Sequence, residues 1–407
     1  MTQRMSRIFL IVGFCVLTLS IGIALYLVFF QPILTPSVVP GSVAPGEQPV
    51  GTLPPSPQGA PVTTAPTPES ELPTADTIAK GGVTKAPSLT TSAVASLNLS
   101  SDGKRLQFYD PNDGKFYRMD KTGAIERLSE RKFPEAKNVV WNRGGEKAVI
   151  EFPDDSNILY DFDNETSVTL PKQWKDFAFS PNRGELIAKS IGLDPNNRFL
   201  IQSKDDGSNV RPLHNLGNNE HKVIVAWSPE DQVIGFADTD SSPGALDRKM
   251  IFPLGKGNEN FKGLTVEGLN FIPEWAPDGK RLLYSVVGSY SNYKPLLWVV
   301  NATPNTMGTG RRSIPLNTWA DKCTFANAST LYCAVPNFLP DNAGLQRSLF
   351  TSTSDAFYKV DLDTGSTSLV AIPETESSAK QLFVAPDESS LYYTENATGI
   401  LKTIQLK

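Results

Sequence analysis

Residues 275–285 read WAPDGKRLLYS. A large aromatic residue comes first, then a Pro-Asp-Gly turn, then an alternating tail that ends in Leu-Leu-Tyr-Ser. Pro at the third position cannot donate a ladder hydrogen bond and therefore ends a strand, and Asp followed by Gly favours a tight reversal. The stretch predicts a β-hairpin in which one strand ends at Trp275 and the next begins after Gly279.

The same pattern occurs seven times along the chain. The other copies are LSSDGKRLQF from Leu99, WNRGGEKAVI from Trp141, FSPNRGELIA from Phe179, WSPEDQVIGF from Trp227, the shorter FANASTLYC from Phe325 and VAPDESSLYY from Val384. Most copies are followed by a second hairpin, such as FYKVDLDTGSTSLV at 357–370. Regular recurrence of this kind indicates repeated structural units, and four strands per unit predict the blades of a β-propeller.

The repeat resembles that of the TolB-like, WD-type β-propellers, whose W-S-P-D-G-K-x-[IL]-x-[FY] run is matched by Trp227–Phe236 and Trp275–Tyr284. The resemblance covers residues 80–407 and implies an all-β, seven-bladed propeller. Leu99, Phe325 and Val384 are among the residues that replace the Trp, and the second copy has Asn-Arg-Gly-Gly in place of Ser-Pro-Asp-Gly.

An apolar run precedes the repeats. Ile8–Phe30 contains 23 residues without a charge, enough for a helix to cross about 30 Å of hydrocarbon. Arg4 and Arg7 precede the run, and no Lys or Arg follows it before Lys80. The positive-inside rule therefore predicts that residues 1–7 are cytoplasmic, that 8–30 form a single transmembrane helix, and that the propeller lies outside the cytoplasm. A cleaved signal peptide is the alternative.

Residues 31–79 contain 12 prolines among 49 residues. With many Thr and Ser residues and few charges, such a segment cannot bury a core, so we expect a disordered, extended linker between the membrane and the propeller. The expected domains are therefore 1–7, 8–30, 31–79 and 80–407.

The last copy has only the segment 399–407 after its first hairpin, too little for two further strands. We expect residues near Val83–Leu89 to supply the outer strand of the blade formed by 380–407, because a closed ring leaves fewer unpaired strand edges.

Cys323 and Cys333 flank the shortened turn of the sixth copy. A hairpin centred on Ala328 places them opposite each other, and outside the cytoplasm such a pair can oxidise. We expect a disulfide, with two buried free thiols as the alternative.

Motifs of catalysis or cofactor binding are not found in the sequence. It contains neither a Gly-x-Ser-x-Gly elbow nor a P-loop. His214 and His221 are the two histidines, and their spacing matches no common zinc motif. Acidic turns such as DPNDG and FPDDSN lack the ligand pattern of a calcium loop. We expect no metal and no cofactor.

The charge composition of the chain limits the kinds of partner that we expect it to bind. The net charge of the 407-residue chain is −5, and 20% of its residues are charged, without the basic excess typical of nucleic-acid binding. We expect a non-catalytic binding or scaffold module for an envelope protein or a glycan. The alternative is an extracytoplasmic enzyme of the glycosidase, lyase or lactonase type, with its site in the central channel, since a fold alone does not decide function.

The loops between the second and third strands of each blade are the candidate binding surface. They are brief at Asp110–Lys115 and Pro153–Asn157 but longer at Gly192–Arg198, Thr239–Lys249, Gly288–Lys294 and Pro336–Ala356. Variable loops on a rigid scaffold often carry binding, and Tyr and Arg are common in contact hot spots. The candidate residues are Tyr290, Tyr293, Phe338, Arg347, Phe350, Asp247 and Arg248. Insertions whose aromatic residues only pack on the blade below are the alternative.

Overall fold

The computed structural model describes residues 16–21, 23, 74–100, 102–240, 247–257 and 259–407. The chain divides into two units at residues 69 and 70. In the first unit the described residues are helical and their large apolar side chains are exposed. Most of the predicted span Ile8–Phe30 and of the linker 31–79 lies outside the described residues, and no described helix is long and apolar enough to cross a bilayer.

Residues 74–407 form a seven-bladed β-propeller. A short strand, β1, precedes the blades at Gly82–Thr84. Blades 1 to 4 contain β2–β5 (Ala95–Leu99, Arg105–Asp110, Lys115–Asp120, Ile125–Arg127), β6–β9 (Asn138–Trp141, Lys147–Glu151, Asn157–Asp161, Thr166–Leu170), β10–β13 (Trp174–Phe179, Glu185–Ile191, Arg198–Lys204, Arg211–Asn215) and β14–β17 (Val223–Val225, Val233–Asp238, Arg248–Gly255, Leu264–Glu267). Blades 5 to 7 contain β18–β21 (Leu269–Trp275, Arg281–Val287, Pro295–Asn301, Arg312–Ile314), β22–β25 (Cys323–Phe325, Thr330–Pro336, Asp355–Asp361, Thr367–Pro373) and β26–β28 (Ala379–Val384, Ser390–Glu395, Leu401–Gln405).

Short 3-10 helices occur only in connections within the described residues. They are Pro195–Asn197, Gly217–Lys222, Ser289–Ser291, Ala320–Lys322, Ala343–Leu345 and Arg347–Phe350. Within each blade, strands that follow one another in sequence pair antiparallel, as expected for connected hairpins, and β1 is the exception because it pairs in parallel with β25 of blade 6.

The stretch 275–285 has the structure that its sequence predicts. Trp275 ends β18, and the turn closes with a hydrogen bond from Gly279 N to Ala276 O (2.8 Å). Gly279 has φ +64°, which glycine adopts without steric cost. After the turn, the apolar side chains of Leu282, Leu283 and Tyr284 are fully buried.

The aromatic residue before the turn joins neighbouring blades. Trp275 Nε1 donates to Ala226 O of the preceding blade (3.3 Å), and Trp141 Nε1 donates to Ser96 O of blade 1 (2.7 Å). In both cases the apolar part of the indole packs within the propeller, while its N–H donates a hydrogen bond to the preceding blade. A Trp side chain that leaves water usually makes such a bond.

Seven hydrophobic clusters lie between the seven blades. Each cluster draws its buried side chains from two neighbouring blades, and the last one contains Leu401 of blade 7 together with Leu97 and Phe108 of blade 1. The core is therefore a ring of interblade layers.

The ring closes through residues 76–90. Leu89 N donates to Leu401 O (2.7 Å) and Thr403 N donates to Pro87 O (3.1 Å), antiparallel to β28. The predicted closure is thus right for residues 87–89. It is wrong for Val83, which lies in β1 and pairs in parallel with Ile372 of blade 6. The segment passes from one blade edge to the next because both outer edges have free backbone groups that need partners.

Cys323 and Cys333 are direct cross-strand partners in the register that the sequence predicts, and a disulfide joins them. Both side chains are buried in the cluster between blades 5 and 6. The bond fixes the first hairpin of blade 6.

Deleting residues 74–90 from the full chain should lower the melting temperature by about 10 °C or more, because blade 7 loses its outer partner and several kcal/mol of apolar burial. A matched deletion of 17 residues within the linker, 45–61, serves as the control and should leave the propeller transition unchanged. Circular dichroism melting measures both, and equal melting temperatures would contradict closure by this segment.

Reduction of the wild-type chain should lower the free energy of unfolding by about 2–3 kcal/mol, since a disulfide that closes a short loop restricts the unfolded chain. Urea denaturation with and without reductant measures the difference. Cys15→Ala is the control and should show the same difference. Two alkylatable thiols at Cys323 and Cys333 in a non-reduced digest would show that the bridge is absent.

Candidate functional site

A cavity opens where the first strands of the blades begin. First strands of neighbouring blades contact one another in blades 1 to 4 and 6 to 7, so these strands surround the axis of the ring. The cavity has a volume of about 380 Å³ and is lined by residues in or next to the first strands of blades 1, 2 and 7, by the connection that precedes β22 of blade 6, and by the loop between β23 and β24. We call it the mouth cavity.

The repeat itself explains which residues line the mouth cavity. Ala95, Lys137, Asp321 and Lys380 each stand four residues before the first residue of a turn copy, and all four line the cavity. In blade 3 the equivalent residue is Lys175, which pairs with Asp155. This position carries lysine or aspartate in blades 2, 3, 6 and 7, whereas Val223 and Phe271 occupy it in blades 4 and 5 and are buried between blades.

The backbone is irregular within the first strands of several blades. The register shifts within the first strands of blades 1, 3, 5 and 7. Ser96 and Asp176, each three residues before its turn copy, have φ values of +51° and +52°. Left-handed conformations are uncommon outside glycine, and bulges of this kind redirect strand ends at the rims of sheets.

Arg347 lies over one wall of the mouth cavity. Its guanidinium makes two bonds to the Asp321 carboxylate (3.0 and 2.9 Å) and lies 4.8 Å from the centre of the Trp319 ring. A bidentate pair with a stacked aromatic ring fixes the planar guanidinium. Phe350 follows in the same loop and also lines the cavity.

A buried ion pair lies beneath this wall. Lys322 Nζ contacts both carboxylate oxygens of Asp355 at 2.7 Å, and Asp355 also accepts a hydrogen bond from Ala379 N of blade 7 (2.7 Å). Both side chains are almost completely buried. Burial lowers the pKa of Lys322 and raises the pKa of Asp355, and their mutual attraction opposes both shifts. The pair ties blade 6 to blade 7 at the mouth.

Glu274 is on β18, the first strand of blade 5. Its side chain has accessible surface, yet the surrounding protein desolvates the carboxylate enough to raise its pKa to about 7, and the negative charge of Asp321 adds to the effect. The pKa rises because neighbouring protein atoms displace water from around the carboxylate and so disfavour its charged form.

Of the seven predicted binding residues, Arg347 and Phe350 line the mouth cavity. Tyr290 and Tyr293 do not. Tyr290 packs edge-on against Trp298 (5.8 Å between ring centres), and the carbonyl of Tyr293 accepts a hydrogen bond from Gly344 N (2.9 Å). The Tyr290 ring therefore packs on its own blade, and the backbone of Tyr293 joins the loops of blades 5 and 6.

The other three predicted residues also lie outside the cavity. Asp247 accepts a hydrogen bond from Ser289 N (3.1 Å), and Arg248 Nε contacts Glu267 (2.7 Å). Phe338 is 70% exposed and points away from its blade. The loops of blades 4, 5 and 6 are thus joined to one another, and Phe338 is the most exposed aromatic residue among the predicted ones, ahead of Tyr290 at 47%.

The described residues contain no group of three His, Cys, Asp or Glu side chains that could hold a metal ion. His214, one of the two histidines, lies in β13 and its Nε2 is 2.7 Å from Gly255 O. This histidine therefore links blades 3 and 4.

No family model matches the chain, and no curated protein matches it. Solved structures are similar in fold. The β-propeller domain of Cps50 (Swd1) from Myceliophteria thermophila has a TM-score of 0.52 and 12% identity over 79% of this chain and 100% of that one. An oligogalacturonate lyase in complex with manganese has a TM-score of 0.56 and 12% identity over 79% and 93%.

TolB from Acinetobacter baumannii is also similar, with a TM-score of 0.43 and 15% identity over 68% of this chain and 66% of that one. Similarity at these identities shows the fold alone. The resemblance to TolB-like repeats rests on the turn sequences themselves.

Lys322→Met should lower the free energy of unfolding by about 3–5 kcal/mol, because it leaves the Asp355 carboxylate buried without its partner. Lys172→Met is the matched control: Lys172 pairs with Asp154 at 3.0 Å, but both side chains are more than 60% exposed, so the cost should be below about 1 kcal/mol. Urea denaturation of the wild type and of both variants measures these differences in the free energy of unfolding. The combined change Lys322→Met with Asp355→Leu should cost less than Lys322→Met alone, and equal effects for the Lys322 and Lys172 variants would contradict the role given to the pair.

Proposed function

We propose that this chain is a non-catalytic binding module that holds a partner protein through the loop between β23 and β24. The observation that carries the proposal is the exposure of three large apolar side chains within residues 337–354. Phe338 is 70% exposed, Leu345 45% and Leu349 66%. The three side chains lie within one loop, and several exposed large apolar side chains in one loop favour an interaction site. We call these three residues the apolar patch.

The position of the patch supports a binding role. Of the ten described large hydrophobic residues that are exposed in residues 74–407, five lie in loops between second and third strands, namely Leu193, Tyr290 and the three patch residues. All such loops open on one face of a propeller. The exposed apolar surface is therefore concentrated on the face that carries the mouth cavity.

The loop that carries the patch is held in place. Gly344 N donates to Tyr293 O (2.9 Å), Asn270 Nδ2 donates to Gly344 O (3.2 Å), and Lys294 lies 3.3 Å from Asp341. Side chains presented by a preorganised loop lose little conformational entropy when a partner binds. The loop is thus better suited to docking than a tolerated insertion would be.

A glycosidase in the channel is supported less well. Glu274, with a pKa of about 7, could exchange protons near neutral pH. Glycoside hydrolysis also requires a second carboxyl group, and the carboxylate that acts on Glu274, Asp321, is held in two bonds by Arg347. The described residues around Glu274 therefore favour binding over hydrolysis.

We further propose that the propeller acts outside the cytoplasm, held near the membrane by residues 8–30 and the linker 31–79. The uncharged run, the placement of Arg4 and Arg7, and the proline content of the linker support this. The Cys323–Cys333 disulfide supports it as well, since disulfides persist mainly in oxidising compartments.

The test replaces the patch with serine in the full chain: Phe338→Ser, Leu345→Ser and Leu349→Ser together. Proteins that the wild type captures from an envelope extract should be lost from this variant, and a purified captured protein should bind it at least about tenfold more weakly, because buried apolar anchors each contribute 1 kcal/mol or more. Thermal stability should change by less than about 2 °C, as expected for exposed positions.

The matched control changes three exposed apolar residues of the blades: Ile125→Ser, Val168→Ser and Phe252→Ser, which are 48%, 43% and 39% exposed. This variant should retain the same partner with wild-type affinity. Capture that is equal in both variants, or lost in both, would overturn the assignment of the patch.

A further inference from the structure

The mouth cavity has a charge that differs from that of the whole protein. Four cationic side chains line it (Lys137, Lys322, Arg347 and Lys380) together with one carboxylate, Asp321. The chain as a whole has a net charge of −5. A cationic concavity in an acidic protein attracts small anions and repels cations.

Two of the four cations are already neutralised. Arg347 pairs with Asp321 at the wall, and Lys322 pairs with Asp355 below the floor. Within the described residues, the ammonium groups of Lys137 and Lys380 form no hydrogen bond and no ion pair. Lys175, at the same repeat position in blade 3, does pair with a carboxylate. Of the three lysines at this repeat position, the two without an ion pair among the described residues therefore both line the cavity.

The cavity also offers polar and apolar contacts beside these lysines. Within the described residues, the Ser96 hydroxyl and the Asn396 side-chain amide make no hydrogen bond inside the protein. Phe350 supplies an apolar wall. A volume of about 380 Å³ lies within the range of small-molecule sites. Flexible lysine stems, one donor amide and an apolar side suit an anion of modest size with several oxygen acceptors.

We propose that the mouth cavity binds a small polyanion that carries carboxylate or phosphate groups, with Lys137 and Lys380 as its charge partners. The two lysines belong to blades 2 and 7, and blade 1 lies between them. An anion held between them bridges blades 7 and 2 across blade 1. The site is distinct from the apolar patch and does not depend on a protein partner.

The probes are pyrophosphate, citrate and, as a neutral compound, glycerol, each titrated into the full chain by calorimetry. At least one anion should bind and glycerol should not, and raising the salt concentration should weaken binding. The anion with the lower dissociation constant shows whether the cavity prefers phosphate groups, as in pyrophosphate, or carboxylate groups, as in citrate. No heat from either anion at millimolar concentration, or equal binding of glycerol, would overturn the proposal.

Variants locate the site. Lys137→Gln with Lys380→Gln should weaken anion binding at least about tenfold, whereas Lys137→Arg with Lys380→Arg, which keeps both charges, should retain it within about threefold. The control, Lys104→Gln with Lys204→Gln, removes two exposed charges from turns on the opposite face and should bind within about twofold of the wild type. Equal weakening in this control would show that the anion responds to overall charge and would overturn the assignment of the cavity.

Discussion

The structure depends on apolar surface that each blade shares with its neighbour. A blade is a twisted sheet with two apolar faces, and neither face can be covered from within the blade. In this chain every hydrophobic cluster between blades takes its side chains from two sheets, including the cluster between the last blade and the first. Each blade therefore needs both of its neighbours, and closure of the ring covers the last two open faces, those of blades 7 and 1.

That constraint explains why the segment 76–90 precedes the first blade. The last blade contains three strands, β26–β28, and its outer edge would otherwise expose backbone donors and acceptors. Residues 87–89 bond to β28, and Gly82–Thr84 adds a fifth strand to blade 6. One segment thus holds the two sheets next to the closure, so the start and the end of the propeller are joined in one structure.

The sequence predicts the features that are local or periodic. The turn copies predict the hairpins, and the shortened copy gives the register of Cys323 and Cys333, because both depend on residues close together in the chain. The mouth cavity could not be predicted in this way, since Lys137 and Lys380 meet only after closure brings blade 7 to blade 1 and blade 2. The shared repeat position of these lysines was a usable signal. Tyr290 was selected by residue type, which does not reveal that its ring packs edge-on against Trp298.

The loop between β23 and β24 contributes to both proposed sites. Arg347 and Phe350 line the mouth cavity, whereas Phe338, Leu345 and Leu349 are exposed to solvent. A partner that covers the patch therefore rests on the same segment that forms one wall of the cavity. If the bound anion changes the affinity for that partner, the partner must change the affinity for the anion by the same factor, because coupling free energies are reciprocal. The Lys322–Asp355 pair lies at the base of this loop, with Asp355 also bonded to Ala379 beside Lys380, and it is the physical link through which such coupling would pass.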